Sequence, residues 1–292
     1  MLPGGYWDSS GALHREFELA VLTGRDEEML AETRLAQTAS LVTAVISRSV
    51  RRVGDISPVT EQVARQLLVA DRQYLLLKLR QSTFGDNVRA NMFCPWADCG
   101  RRVDIEFRIE DLPVEEPAER APVYSFMLSP GASGFDDETT RAVSFRLPNG
   151  EDQEAIGPML TSNEAVALSM LLRRAIRSIG HASSPVPDIL DSLSSMARAE
   201  IEAEMERLSP KIALNIDAVC SECGRSFAVP FDVHRLLFGD LRTDSDVLYR
   251  QVHYLAYHYH WSEAEIMAMP RNKRHSYIEL LADEMERLND GE

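Results

Sequence analysis

Between residues 8 and 22, Leu13, Phe17, Leu19 and Val21 stand at odd-numbered positions after a turn at Ser10-Gly11. A period of two predicts an extended arm, because successive strand side chains point to opposite faces. The period then changes. Thr23-Gly24-Arg25-Asp26-Glu27-Glu28 is polar and acidic, as suits a helix start, and Met29, Leu30, Leu35, Leu41, Val42 and Val45 follow at helical intervals. Pro58 is expected to open another helix, with Val63, Leu67, Leu68, Leu75, Leu76 and Leu79 on its apolar face and Gly85 at its end.

Strand character takes over at 88–93 and again at 103–107, where Val, Ile and Phe alternate with Asp and Glu. Residues 110–140 are rich in Pro, Glu, Ser and Gly, which predicts a loop holding one short strand at 123–126. A strand at 143–147 leads to a turn at Pro148-Asn149-Gly150. Ala165, Val166, Leu168, Leu171 and Ile176 predict a helix from Ser162 to Gly180, and Pro185 and Pro187 mark a linker. Ile189, Leu193, Met196, Ile201, Met205 and Leu208 then line one face of a long acidic helix that ends before Pro210. Ile212, Leu214 and Ile216 read as a strand, as do Phe227, Val229 and Phe231. The last quarter is helical: Ser262-Glu263-Ala264-Glu265 is a capping-box signature, Pro270 interrupts, and Ile278, Leu281, Met285 and Leu288 share one face of a final helix.

The 292 residues, 45% hydrophobic and 26% charged, have the composition of a globular protein. No apolar run approaches the roughly 18 residues of a membrane span, so no membrane insertion is expected. The first residues lack the basic and apolar segments of a secretory signal, and the expected location is cytoplasmic, where thiols stay reduced. The formal net charge of −15 disfavours nucleic acid as a partner, since that affinity rests on Lys and Arg neutralising phosphates. Arg51-Arg52, Arg101-Arg102 and Arg173-Arg174 each sit beside carboxylates or apolar runs and read as solvated positions.

All four cysteines fall in two matched stretches, Cys94-Pro-Trp-Ala-Asp-Cys99-Gly and Cys220-Ser-Glu-Cys223-Gly, each set between strands. A tight turn between strands can aim two thiolates at one metal, and two such knuckles complete a tetrahedral zinc site. Spacings of four and two residues both suit structural zinc, and Gly100 and Gly224 permit the left-handed backbone such turns need. Residues 100–219 separate the pairs, and closing so long a loop costs on the order of 4 kcal/mol. Structural zinc offers roughly 10–16 kcal/mol in small peptides, which exceeds that cost. Three other readings compete. Disulfides require an oxidising compartment; a redox Cys-x-x-Cys opens a helix, whereas Cys220 stands between strands; unrelated buried thiols would not form matched hairpins. The expected ligands are therefore Cys94, Cys99, Cys220 and Cys223 around a structural Zn2+, with no position left for substrate.

No catalytic constellation is visible, so no enzyme is expected. His253, His258 and His260 lack the three- or four-residue spacing of a shared helical face and read as aromatic packing. Pro130-Gly131-Ala132-Ser133-Gly134 lacks the spacing of a nucleophile elbow, and no phosphate-cradling or calcium loop is present.

Three stretches together carry a family resemblance. Asp71-Arg72-Gln73-Tyr74-Leu75-Leu76-Leu77, Leu79-Arg80 and Thr83-Phe84-Gly85-Asp86, leading to Cys94-Pro95, resemble the T-even phage family of baseplate hub assembly chaperones, which has relatives in contractile injection system gene clusters. The opening Pro3-Gly4-Gly5-Tyr6, His14-Arg15-Glu16 and Leu22 to Glu28 is similar to the same branch. The ending His260-Trp261-Ser262, Glu265-Ile266, Met269-Pro270 and Arg274 to Tyr277 is similar to terminal helices recurring in phage tail assembly proteins. The resemblance spans roughly 1–110 and 210–285, and it implies a non-enzymatic part in baseplate assembly, with hub or wedge proteins as partners.

These readings combine into an α+β protein, mostly helical, whose split zinc ribbon is interrupted by a long insert. The expected divisions are 1–86, an arm and helical region; 87–109, the first half of the ribbon; 110–209, the insert; 210–231, the second half; and 232–292, a helical end. The arm and the C-terminal helices are the expected contact surfaces, because of their aromatic residues. A zinc-ribbon regulatory or nucleic-acid-binding protein is the alternative.

Overall fold

Thr60, whose side chain accepts the backbone N–H of Val63, starts a short helix at Glu61–Gln66, and Leu67 ends it in extended conformation. A second helix, Val69–Phe84, begins two residues later. The sequence pattern predicts one helix here, opening at Pro58. Tertiary pairing breaks it: Gly150 N–H donates to Leu67 C=O (3.1 Å), Val69 N–H donates to Pro148 C=O (3.3 Å), and Leu68 bridges Asn149. The computed structural model describes residues 1–32, 38–133, 141–160, 162–180, 182–183, 193–243 and 245–290. Its fold class is α+β, as the sequence predicts. Among the described residues no helix is long and apolar enough to cross a membrane.

The chain forms two compact units. One comprises Met1–Glu18, Gln37–Tyr74 and Val114–Ile212; the other comprises Leu19–Ala36, Leu75–Pro113 and Ala213–Glu292.

In the first unit, an antiparallel sheet runs in the order Ala182–Ser183, Ile176–Ile179, Ala142–Phe145, Tyr124–Met127. Phe145 is its centre: it is fully buried, stacks on Tyr124 at 6.0 Å and meets Phe126 edge-on. Leu172, Ile176, Ala197 and Ile201 complete that core. The helix expected over 162–180 stops at Ala175, and Ile176–Ile179 is a strand. Ile176 is fully buried, and a short buried apolar run reads alike as helix or strand. The long acidic helix is Ser195–Leu208, capped by Ser194, and not the longer element predicted. Leu35, Ile189 and the predicted linker at Pro185 and Pro187 lie outside the described residues, as does most of 130–140.

The turn expected at Pro148-Asn149-Gly150 is instead a helix start, since Gly150–Leu160 is helical. Asn149 and Asp152 cap it reciprocally: Asn149 N–H donates to Asp152 Oδ2 (3.0 Å), and Asp152 N–H donates to Asn149 Oδ1 (3.1 Å). The signal was in the sequence as Asn-x-x-Asp, a shorter relative of the usual capping box.

Two buried side chains adjacent in the Val69–Phe84 helix tie the first unit together. Asp71 accepts the backbone N–H groups of Gly4 (2.8 Å) and Gly5 (2.9 Å), fastening the N-terminal arm. Arg72 donates to Ala64 C=O (2.8 Å), Ala39 C=O (2.7 Å) and Thr43 Oγ1 (3.0 Å). The last carbonyls of a helix, such as that of Ala64, lack intrahelical donors, and a guanidinium fork supplies several donors at once.

In the second unit, Leu75, Leu76, Leu77 and Leu79 are all buried, so this part of the helix is enclosed on several sides and not along one stripe. Two antiparallel hairpins follow, Asn87–Phe93 with Arg102–Arg108 and Asn215–Val219 with Ser226–Pro230. The remaining described elements are helical: Gly24–Glu32, Val233–Thr243, Ser245–Tyr259, Glu263–Met267 and Arg271–Asp290. Ser262 and Glu265 form the predicted capping box.

Candidate metal centre

The two cysteine hairpins repeat one construction. At the first, Cys94 N–H donates to Arg101 C=O (2.8 Å); at the second, Cys220 N–H donates to Arg225 C=O (3.0 Å). Each bond closes a tight turn at the end of its strands. Gly100 and Gly224 sit just beyond the second cysteine of each turn at φ +57° and +69°. No neighbouring atom lies where a Cβ would stand at either, so glycine is needed for the left-handed backbone and not for space.

The turns bring all four thiols together. Cys94 Sγ lies 3.8 Å from Cys223 Sγ, and Cys99 Sγ lies 3.8 Å from Cys220 Sγ. All four sulfurs fall within 4.8 Å of one another, an arrangement that could hold a metal ion. With metal–sulfur bonds of about 2.3 Å, the sulfurs of a regular tetrahedron stand about 3.8 Å apart. The closest pairs match that edge and are far longer than a disulfide bond of about 2.05 Å. All four cysteines are free.

The surroundings support the same donor set. Cys94 and Cys220 are buried with Val103, Ile105 and Ala218, and Met92, Phe107, Ile216, Phe227 and Val229 pack around them. Phe107 meets Phe231 edge-on at 5.2 Å. Burial pushes the Cys94 thiol up to about 12. Cys220 moves the other way, to about 7, because the backbone amide of Cys223 stabilises its thiolate against burial. Four thiolates at this spacing repel one another, and a cation among them reverses that balance. At the surface, Arg225 forms a two-pronged pair with Asp98 (2.8 and 2.5 Å) and lies 5.4 Å from the Trp96 ring, linking one turn to the other.

The histidines of the C-terminal region do not converge. His253 stacks on Tyr257 and His258 meets Tyr254 edge-on, while Tyr259, Trp261 and Tyr277 form a separate aromatic group. That agrees with aromatic packing. The contact surfaces expected from sequence divide: Tyr6 of the arm is buried, whereas Tyr249 and Tyr257 are exposed.

Sequence reasoning missed the buried polar groups. Asp71 and Asp152 are fully buried, and Arg146 and Arg174 both reach Asp152. Glu27 meets Arg271 and Arg274 in the second unit. The resemblance motifs contain Asp71, Arg72, Glu27 and Arg274, but hydrophobic periodicity cannot flag a buried charge.

The fold and the four-thiol cluster define an α+β protein with a candidate cysteine-only metal site. A family model described as T4 bacteriophage base plate protein matches residues 14–237, and the chain belongs to that family. A second model, described as a family of unknown function, matches residues 241–292. No curated protein and no solved structure matches the chain.

Proposed function

We propose that this chain takes part in assembling the baseplate or hub of a contractile, phage tail-like injection particle, and that it does so by protein contacts without catalysing a reaction. The observation that carries this reading is the base plate family match over residues 14–237. Hub or wedge subunits are its partners, and the cytoplasm is where it meets them. Its role is that of an assembly chaperone, which leaves before the particle is complete, in preference to a permanent component. Cys94, Cys99, Cys220 and Cys223 hold one structural Zn2+; the tetrahedral spacing of their sulfurs supports this choice. Four protein thiolates fill the coordination sphere, so the metal holds two hairpins together and offers substrate no open position.

Deleting the gene tests the role. Intact sheathed particles should disappear or fall in number under electron microscopy, while sheath and tube proteins are still made. Mass spectrometry of purified wild-type particles then decides between the two forms. Absence from particles, with a stable complex with a hub or wedge subunit beforehand, supports a chaperone; a fixed copy number supports a component. Normal particles in the deletion strain would overturn the reading.

A further inference from the structure

The first unit contains an open cleft of about 1040 Å3, built from residues outside the cysteine hairpins. Its walls come from the arm at 4–9, the Glu61–Gln66 helix, and the segments 117–124, 146–151 and 173–177. Arg120, Arg146, Arg173, Arg174 and Arg177 all stand on these walls. The acidic side chains there are Asp8, paired with His14 at 2.9 Å, and Glu151, paired with Arg174 at 3.1 Å. Just behind the walls Glu116 pairs with Arg120, and buried Asp152 with Arg146 and Arg174. In a chain of net charge −15 the cleft thus keeps a small positive excess, five arginines against four carboxylates.

The arginines are positioned before any ligand arrives. Arg146 grips fully buried Asp152 with both terminal nitrogens (2.5 and 2.8 Å), and Arg174 Nε donates to the same carboxylate (2.8 Å). A buried anion shared by two guanidinium groups fixes their planes. Arg177 is placed differently. The strand Ile176–Ile179 shifts register against Ala142–Phe145 between Ile176 and Ser178, and such a bulge re-aims the side chain at its centre. Arg177 is exposed at the cleft, and among the described residues its guanidinium has no partner. Trp7 and the largely buried Tyr6 and Tyr124 line the same cleft.

We infer that this cleft receives a short, extended, Asp- or Glu-rich segment of a partner protein. Guanidinium forks match carboxylates in geometry as well as charge. The volume stands at the top of the roughly 300–1,000 Å3 range of small-molecule pockets, which suits several residues of chain. Nucleic acid also carries anions, but the acidic remainder of the molecule repels a long polyanion, whereas a short segment meets only the cleft. The inference depends neither on the metal centre nor on the particle the protein serves.

Fluorescence anisotropy of the full chain with a labelled oligoglutamate peptide tests it, with oligoglutamine and oligothymidylate as controls. Oligoglutamate should bind and should weaken as salt rises, with oligoglutamine at least about tenfold weaker. Arg177→Glu should weaken oligoglutamate binding by roughly tenfold at an unchanged melting temperature, and Arg177→Gln should give a smaller loss of the same sign. No binding of oligoglutamate, equal binding by both Arg177 variants and the wild type, or tighter binding of oligothymidylate would each overturn the inference.

Discussion

Arg274 donates to Glu27 at 2.7 Å across 247 positions of sequence, and both side chains are buried. Arg271 reaches the second oxygen of Glu27 (3.2 Å), and Arg274 also donates to Met269 C=O (2.7 Å). Two stretches of the family resemblance, Leu22 to Glu28 and Arg274 to Tyr277, thus meet in one ion pair inside the second unit. Removing one partner of such a pair strands a buried charge. Glu27→Ala or Arg274→Ala should each cost about 3–5 kcal/mol in denaturant unfolding. The double substitution Glu27→Leu/Arg274→Met should cost clearly less than the sum of the single changes.

Metal removal should act on the hairpins first. Protein purified without added metal should contain near-stoichiometric zinc by elemental analysis, and a strong chelator should lower the melting temperature. Replacing any one of Cys94, Cys99, Cys220 or Cys223 by Ser should abolish stoichiometric zinc, because three thiolates hold the ion poorly. A well-folded protein with four free thiols and no metal would refute the assignment.

Asp71 gives the first unit a pH dependence of defined sign. Burial raises its carboxyl to about 6, against the pull of the Gly4 and Gly5 amides and of the positive charges of Arg15 and Arg120. The folded state therefore binds a proton more readily than the unfolded chain, whose Asp titrates near 3.9. The stabilising contribution is fully present below about pH 4 and is lost as pH rises through about 6, a change of up to roughly 3 kcal/mol. Melting temperatures between pH 4 and 7 should show this component, and Asp71→Asn should remove it.

Two glycines should respond oppositely to Ala. A Cβ on Gly150 would stand 2.1 Å from Arg72 Nη1, and Arg72 is buried and held by three hydrogen bonds. Gly150→Ala should cost about 1–3 kcal/mol, read as a lower melting temperature. Gly239 is exposed in the Val233–Thr243 helix with no atom near its Cβ position, so Gly239→Ala should stabilise by about 0.5–1 kcal/mol.

The sequence divisions at 87, 110, 210 and 232 remain a proposal about how the chain opens. We propose that limited proteolysis cuts first near 113–122, 130–138 or 181–187, where Pro, Gly and Ser concentrate. Early cutting within 60–85 would contradict it.

The sequence by itself determined what depends on neighbours along the chain. Matched Cys-turn-Cys-Gly stretches between alternating runs dictated both hairpins, and Ser262-x-x-Glu265 dictated a capped helix, because a turn or a cap is settled within a few residues. Tertiary structure decided the rest. Leu67 and Leu68 leave the helical path because Pro148 to Gly150 offer them backbone partners. Ile176 becomes a strand residue because the Ala142–Phe145 edge is there to pair with it. Asp71, Glu27 and Arg274 look like ordinary surface charges in sequence. Each is tolerated inside only because donors or acceptors distant in sequence satisfy it, and hydrophobic periodicity carries no trace of such partners. The distance between Cys94 and Cys223 belongs to both levels: local turns aim each pair of sulfurs, and the packing of one hairpin on the other sets them 3.8 Å apart.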